Sequence, residues 1–180
     1  MKVKKIIEQV ATLLQLQNVS DANLDDSASF DDQTRRDVNL IVSSLNEVLS
    51  DIATDYLPQT ETEKIDVQNG EFDLDNLSKP FYKLIKFDGE YVLKLNKLQA
   101  KSGVHIITYS HLPNIVELDD EFSCDSRLTI QAISYGIAKE YCLICGSYDE
   151  SALWESKFKN AMQVAIKKQS VVELKHRRWC

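Results

Sequence analysis

Long apolar runs are missing from this 180-residue chain. Nowhere does it reach the roughly 18 to 20 uninterrupted apolar residues of a membrane helix. Its start, residues 1–9, has basic residues but no apolar stretch followed by small ones, so neither a spanning nor an exported protein is expected. Cysteine is scarce: Cys124, Cys142, Cys145 and Cys180 are the only four. A chain of this length buries roughly 70% of its unfolded surface and needs no disulfide framework, which points to a reducing compartment at synthesis. Glycine and proline number five and three, against a collagen-like chain. With 43% hydrophobic and 27% charged residues, one globular domain spanning 1–180 is expected, without wholesale disorder.

Catalytic signatures are missing as well. There is no GxSxG, no phosphate loop and no HExxH. The three histidines (His105, His111, His176) fall in a strand, at a strand end and in a basic tail, and His105 reads as a residue on the polar face of its strand. Cys142-Leu-Ile-Cys145 spells CxxC, but a zinc site needs two more ligands, and a redox pair wants the start of a helix. These two lie in the last turn of an apolar helix and read as small buried hydrophobes. The acidic pairs Asp25-Asp26, Asp31-Asp32 and Asp119-Asp120 match no calcium-loop spacing and read as helix-start or loop charge. No enzyme, cofactor or metal is expected.

What the chain has is uneven charge. The net value of −7, with pI near 5.0, disfavours a surface that grips nucleic acid in general. Residues 1–76 hold 16 acids and 6 bases, whereas residues 77–180 hold 12 acids and 15 bases. Two unlike faces or ends follow, suited to copies that stack or to a place between unlike partners.

Periodicity gives the elements. Val3, Ile6, Ile7, Val10, Leu13 and Leu14 predict a helix over about 2–16. The polar stretch 18–31 predicts a loop, with Asp31 or Asp32 as the next N-cap. Val38, Ile41, Leu45, Val48, Ile52 and Tyr56 predict a helix over 32–56, ended by Leu57-Pro58. From 59 to 114 the period becomes two and the composition β-forming, with a strand near 64–68 and another over 104–110. FYKLIKF, Asp88-Gly89 and EYVLKL read as a tight hairpin, with Tyr91, Leu93 and Leu95 on one face. The acidic run 117–121 then predicts the start of a helix over 120–145 that is apolar nearly all round, hence central or shared with a neighbouring subunit. After Gly146 a last helix is expected over 149–168. The tail from 170 to 180 shows no helical stripe and carries Lys175, His176, Arg177, Arg178 and Trp179. It reads as an extended interaction arm, fitted to a protein groove by the residue types that dominate binding hot spots. The fold class is therefore α+β, mainly α: a bundle of about four helices with a β-hairpin or small antiparallel sheet inserted between the second and third helices, and a C-terminal arm.

This order of elements resembles the head-to-tail adaptor proteins of tailed bacteriophages, including the group called tail tubular protein A or gatekeeper. The resemblance rests on DDQTRRDVNLIVSSLNEVLSDIATDYLP, similar to the family's long second helix, on RLTIQAISYGIAKEYCLICGSYDESALWESKFKNAMQ, similar to its helix pair, and on the terminal KHRRWC. It implies a structural virion protein of the neck, made in the host cytoplasm. Such a protein is a ring homo-oligomer, a dodecamer in this family, lying beneath the portal protein, joining tail or neck proteins, and passing DNA through its channel without specific binding. It also implies that the C-terminal extension docks on the portal, which falls on Lys175, His176, Arg177, Arg178 and Trp179. Acidic surface along a channel would repel the phosphate backbone. The alternatives are another phage neck or tail structural protein, a small nucleic-acid-binding protein using the tail, or a Cys metal or redox protein.

Overall fold

Two stretches of helix-forming pattern bracket one stretch of strand-forming pattern, and the chain folds accordingly into an α+β structure with five α-helices and two small antiparallel sheets. The computed structural model describes residues 1–167. They divide into two compact units, one formed by 1–48 with the chain from 115 onward, the other by 49–114.

In the helical unit, α1 (Val3–Leu14) buries Val3, Ile6, Ile7, Val10 and Ala11, the stripe expected from its spacing. The stretch read as a loop at 18–31 holds a short helix, α2 (Gln17–Ser20), and a 3-10 turn over Ser27–Ser29. Helix α3 (Asp32–Asp51) is capped by Asp31, whose Oδ1 accepts from the Thr34 amide at 2.7 Å. That helix ends as a π-helical turn, Ile52–Tyr56, in which the Leu57 amide reaches back to the Ile52 carbonyl just before Pro58.

The next helix starts ten residues later than expected, at Ile130 rather than 120. The acidic run is not at a helix start. It lies alongside the beginning of the chain, where the Val3 amide donates to the Asp120 carbonyl and the Phe122 amide to that of Met1. Lys4 Nζ meets Asp119 at 2.7 Å and Asp25 at 2.6 Å, and Lys2 meets Glu121 at 3.2 Å. Asp125 closes off the remaining residues. Its Oδ1 accepts from both the amide and Nε of Arg127, a local side-chain turn that competes with helix, and the arginine holds this carboxyl down at about 2. Thr129 then caps α4 (Ile130–Ile144) through its Oγ1 and the Ala132 amide.

Helix α4 packs against both α1 and α5 (Tyr148–Lys167). Gly136 sits at a close approach: a Cβ there would lie 2.8 Å from Val48 Cγ1 and 3.1 Å from the Phe158 ring. The helix buries Ile133, Ile137, Ala138 and Tyr141, but its last turn is open, with Leu143 and Ile144 about half exposed.

The β unit contains one sheet of order β1-β6-β3, with β1 at Gln59–Val67, β3 at Phe81–Phe87 and β6 at Gly103–His111. A second sheet has the order β2-β5-β4, with β2 at Glu71–Asp73, β4 at Tyr91–Lys94 and β5 at Lys97–Ala100. Both are antiparallel throughout. The hairpin expected across Asp88-Gly89 does not form: β3 pairs with β6 and β4 with β5, in different sheets. The Asp88 side chain accepts from the Ile106 amide at 2.9 Å and so anchors the end of β3 to β6 rather than to the strand after it. Tight two-residue turns lie instead at Asn69-Gly70, with φ +53° and +81°, and at Leu95-Asn96, where Leu95 has φ +50° and β4 meets β5. The core consists of Ile65, Val67, Leu74, Leu98, Ile107 and Tyr109, with Phe72, Phe81, Leu84 and Phe87 packed against it.

Candidate interaction surfaces

Of the residues singled out from the sequence, Lys175, His176, Arg177, Arg178 and Trp179 lie outside the described residues. The others are dispersed. Cys142 is buried, 3.8 Å from a Glu150 carboxylate oxygen, and burial followed by that charge pushes its thiol up to about 11. Its CxxC partner was read as buried, but Cys145 is exposed, because the last turn of α4 runs out of packing partners. Among the described residues no group of three or more His, Cys, Asp or Glu side chains could hold a metal ion, and no helix is long and apolar enough to cross a membrane.

His105 is not on the polar face of its strand. It shares a face with Ile107 and Tyr109, two and four residues on, and its ring stacks on Phe87 with centroids 4.9 Å apart. Both ring nitrogens meet acceptors: Nδ1 the Asp88 carboxylate at 2.9 Å, and Nε2 the Lys101 carbonyl at 2.8 Å. Only the doubly protonated imidazolium donates to both, so its pKa rises above 6.5, chiefly through the Lys101 carbonyl and then through Asp88. Asp88 is lowered from 3.8, first by the Ile106 amide.

The raised histidine contributes stability that is complete below pH 6.5 and fades as pH rises through its folded pKa. The lowered aspartate contributes above its ordinary value and fades as pH falls below it. An NMR titration of the His105 ring should therefore show a midpoint above 6.5. Asp88→Asn should lower that midpoint without abolishing the shift, because the carbonyl contact persists. A midpoint at or below 6.5 in the parent chain would contradict the double acceptor geometry.

The surface feature missed by periodicity is the exposure of β4. Alternation puts Tyr91, Leu93 and Leu95 on one face, but Tyr91, Val92 and Leu93 are all about half exposed and Leu95 at the turn is 101% exposed. The strand is one of the two outer strands of its sheet. Six lysines lie between residues 79 and 101, against only Asp88 and Glu90, so the surroundings of this strand in the sequence are basic as well as apolar. A legible signal was present: EYVLKL places apolar residues at both parities, which one buried face cannot absorb.

The helical unit holds a cleft of about 410 Å³. Phe30, Val38, Val42 and Leu118 form its apolar lining, and Glu117 and Asp119 also line it, Asp119 paired with Lys4. Arg35 also lines it, with Nη2 donating to the Phe30 carbonyl at 3.3 Å.

These elements define an α+β chain with a β unit interrupting a helical one. No protein-family model matches the chain, and no curated protein matches it.

Proposed function

We propose that the protein is a structural component of a tailed-phage virion: a head-to-tail adaptor whose copies form a ring beneath the portal, join capsid to tail and line the channel through which DNA passes. The observation that carries this reading is the insertion of the β unit between α3 and α4 of a helical unit, in the element order of the adaptor family, with β4 left apolar and exposed. The finer architecture of the reading is a bundle of about four helices with a C-terminal arm reaching the portal. The excess of acid over base in residues 1–76 supports a channel role, since like charge keeps the phosphate backbone from adhering as it moves. In this reading the protein works by contact alone, with the portal above, tail or neck proteins below, and its own copies beside it.

The test is mass measurement of the purified chain with and without the portal ring encoded nearest to it. The full chain is expected to add to the portal as a closed ring. Deletion of residues 171–180, or Arg178→Ala with Trp179→Ala, is expected to leave the circular dichroism of the chain unchanged and to abolish docking. Equal docking by the truncated chain would overturn the arm assignment. A parent chain that stays monomeric in both conditions would overturn the ring itself.

A further inference from the structure

We infer that two copies of the free chain pair along the open edge of β4, antiparallel and centred on Val92, so that Glu90 of each copy meets Lys94 of the other. This goes beyond the ring reading and does not rest on it.

Strand β4 has a neighbouring strand on one side only, β5. Which of its backbone groups that neighbour engages follows from the turn between them. Only Leu95 and Asn96 join the two strands, and the pair closing so short a turn, Lys94 with Lys97, exchanges both of its hydrogen bonds. Alternation makes Val92 with Gln99 the next bonded pair. The amides and carbonyls of Tyr91 and Leu93 therefore point away from β5, to the open edge. Their partners on β5 agree: the Ala100 amide, opposite Tyr91, donates to the Gly70 carbonyl at 3.1 Å on the far side.

Such an edge is a template for another strand, and the side chains say which. Tyr91 and Leu93 share the face of the fully buried Leu98, yet they are 47% and 42% exposed because the sheet stops at them. Val92 and Lys94 occupy the other face, and one more extended residue adds Glu90 to it. A second copy laid antiparallel, Val92 against Val92, answers every one of these groups. The free backbone groups of Tyr91 meet those of Leu93 in both directions, the apolar face continues across the junction, and Glu90 falls opposite Lys94 twice. Sliding one copy by two residues, the smallest slip that keeps the faces, sets Val92 against Glu90 or Lys94 and loses both of those pairs.

The charges are available for this contact. Directly across from Lys94 on β5 is Lys97, a like charge. Glu71 is held by Lys97 at 3.1 Å and by Gln99 at 2.9 Å, and Lys94 acts on it only from farther off. Among the described residues neither Glu90 nor Lys94 has an ion-pair partner within 4.0 Å. The other outer strand of the sheet, β2, lacks this self-complementarity, since centring it on Phe72 would set Glu71 against Asp73. Two β4 edges use each other up, so the contact is isologous and stops at two copies.

Sedimentation of the full chain over a concentration series should show a monomer–dimer equilibrium. Lys94→Glu and Glu90→Lys each change an exposed side chain and should leave the circular dichroism unchanged. Each turns two attractions into two repulsions and should weaken pairing about tenfold. Mixed together, the two variants should pair as tightly as the parent, because every glutamate then meets a lysine. Both changes in one chain should restore pairing too. Leu93→Pro removes an edge-facing amide and no bond to β5, and should abolish pairing. Hydrogen exchange should show the Tyr91 and Leu93 amides protected in the dimer and open in the Lys94→Glu monomer.

A parent chain that is monomeric at every concentration would overturn the inference. So would pairing that Leu93→Pro leaves intact, or charge variants that fail to rescue each other when mixed. Protection of the β4 amides that arises only on adding the portal ring would give the edge to a different protein and overturn the pair as well. The ring reading is judged separately, by docking on the portal, so either can fail alone.

Discussion

Asp37→Ala is expected to destabilise the helical unit by about 2–3 kcal/mol, the cost of stranding buried hydrogen-bond donors rather than of losing a surface charge. Asp37 is only 6% exposed and lies on α3. Its Oδ2 accepts from Asn18 Nδ2 at 2.8 Å and from Gln33 Nε2 at 3.0 Å, and its Oδ1 accepts from the Tyr141 hydroxyl of α4 at 2.9 Å. Alanine removes all three acceptor contacts. Gln33 is exposed and turns to water at little cost, and Asn18 is half-buried and recovers in part. The Tyr141 side chain is only 9% exposed and its hydroxyl keeps only the Cys145 thiol nearby, a weak partner, so this one group accounts for most of the loss.

Asp37→Asn keeps the volume and one acceptor oxygen and should lose less. Tyr141→Phe removes the stranded donor itself and should cost about 1 kcal/mol, so the double variant should be less destabilised than the sum of the two. Urea melts check this through a lowered midpoint at unchanged slope. Burial and then the Asp37 carboxylate push the Tyr141 hydroxyl well above its usual 10. A raised phenol contributes fully below pH 10 and is lost as pH climbs beyond it. The parent should therefore weaken in alkali more than Tyr141→Phe does. Equal stability of Asp37→Ala and the parent would show that the carboxylate does not hold α3 to α4.

Ile107→Ala is expected to cost more, about 3–4 kcal/mol, while the same change one residue earlier should cost less than about 1 kcal/mol. Ile107 is fully buried in the core of the β unit, and Ile106 is 45% exposed on the other side of the same strand. Strand β6 is the middle strand of its sheet, so a cavity under Ile107 loosens its pairing with β1 on one side and β3 on the other. Hydrogen exchange supplies the measurement. The amides of β1, β3 and β6 should lose protection in Ile107→Ala and keep it in Ile106→Ala. Similar losses from both would mean that the outward face of this sheet is covered in solution.

The contrast between these neighbours is a matter of alternation, and alternation was legible. Residues 59–114 were read as β from their period, and β1 and β6 appear where that reading put strands, β1 extending further than its predicted core. The helical stripes of α1 and α3 were equally plain, because an apolar side chain every three or four residues has only one arrangement that gathers it on one face. His105 shows where alternation fails. A polar residue in a strand was assigned to the polar face, but it lies on the inward side because two acceptors and an aromatic ring await it there.

By itself the sequence determined much of the local geometry of this protein: the helical stripes of α1, α3 and α5, the strand-forming stretch 59–114, the breaks at Pro58 and Gly146, and the excess of acid over base in residues 1–76. These are properties of neighbours along the chain. Tertiary structure decided the partners. Asp88-Gly89 turns the chain but does not pair the strands on either side of it, because Asp88 is bound to β6. The acidic run 117–121 begins no helix, because it closes into a tight turn, with the Asp120 amide on the Glu117 carbonyl, that is tied to Lys2 and Lys4 near the start of the chain. Asp37 finds Tyr141 across 104 residues of sequence. Each choice depends on which groups burial brings together, and a pattern of neighbours carries no record of that.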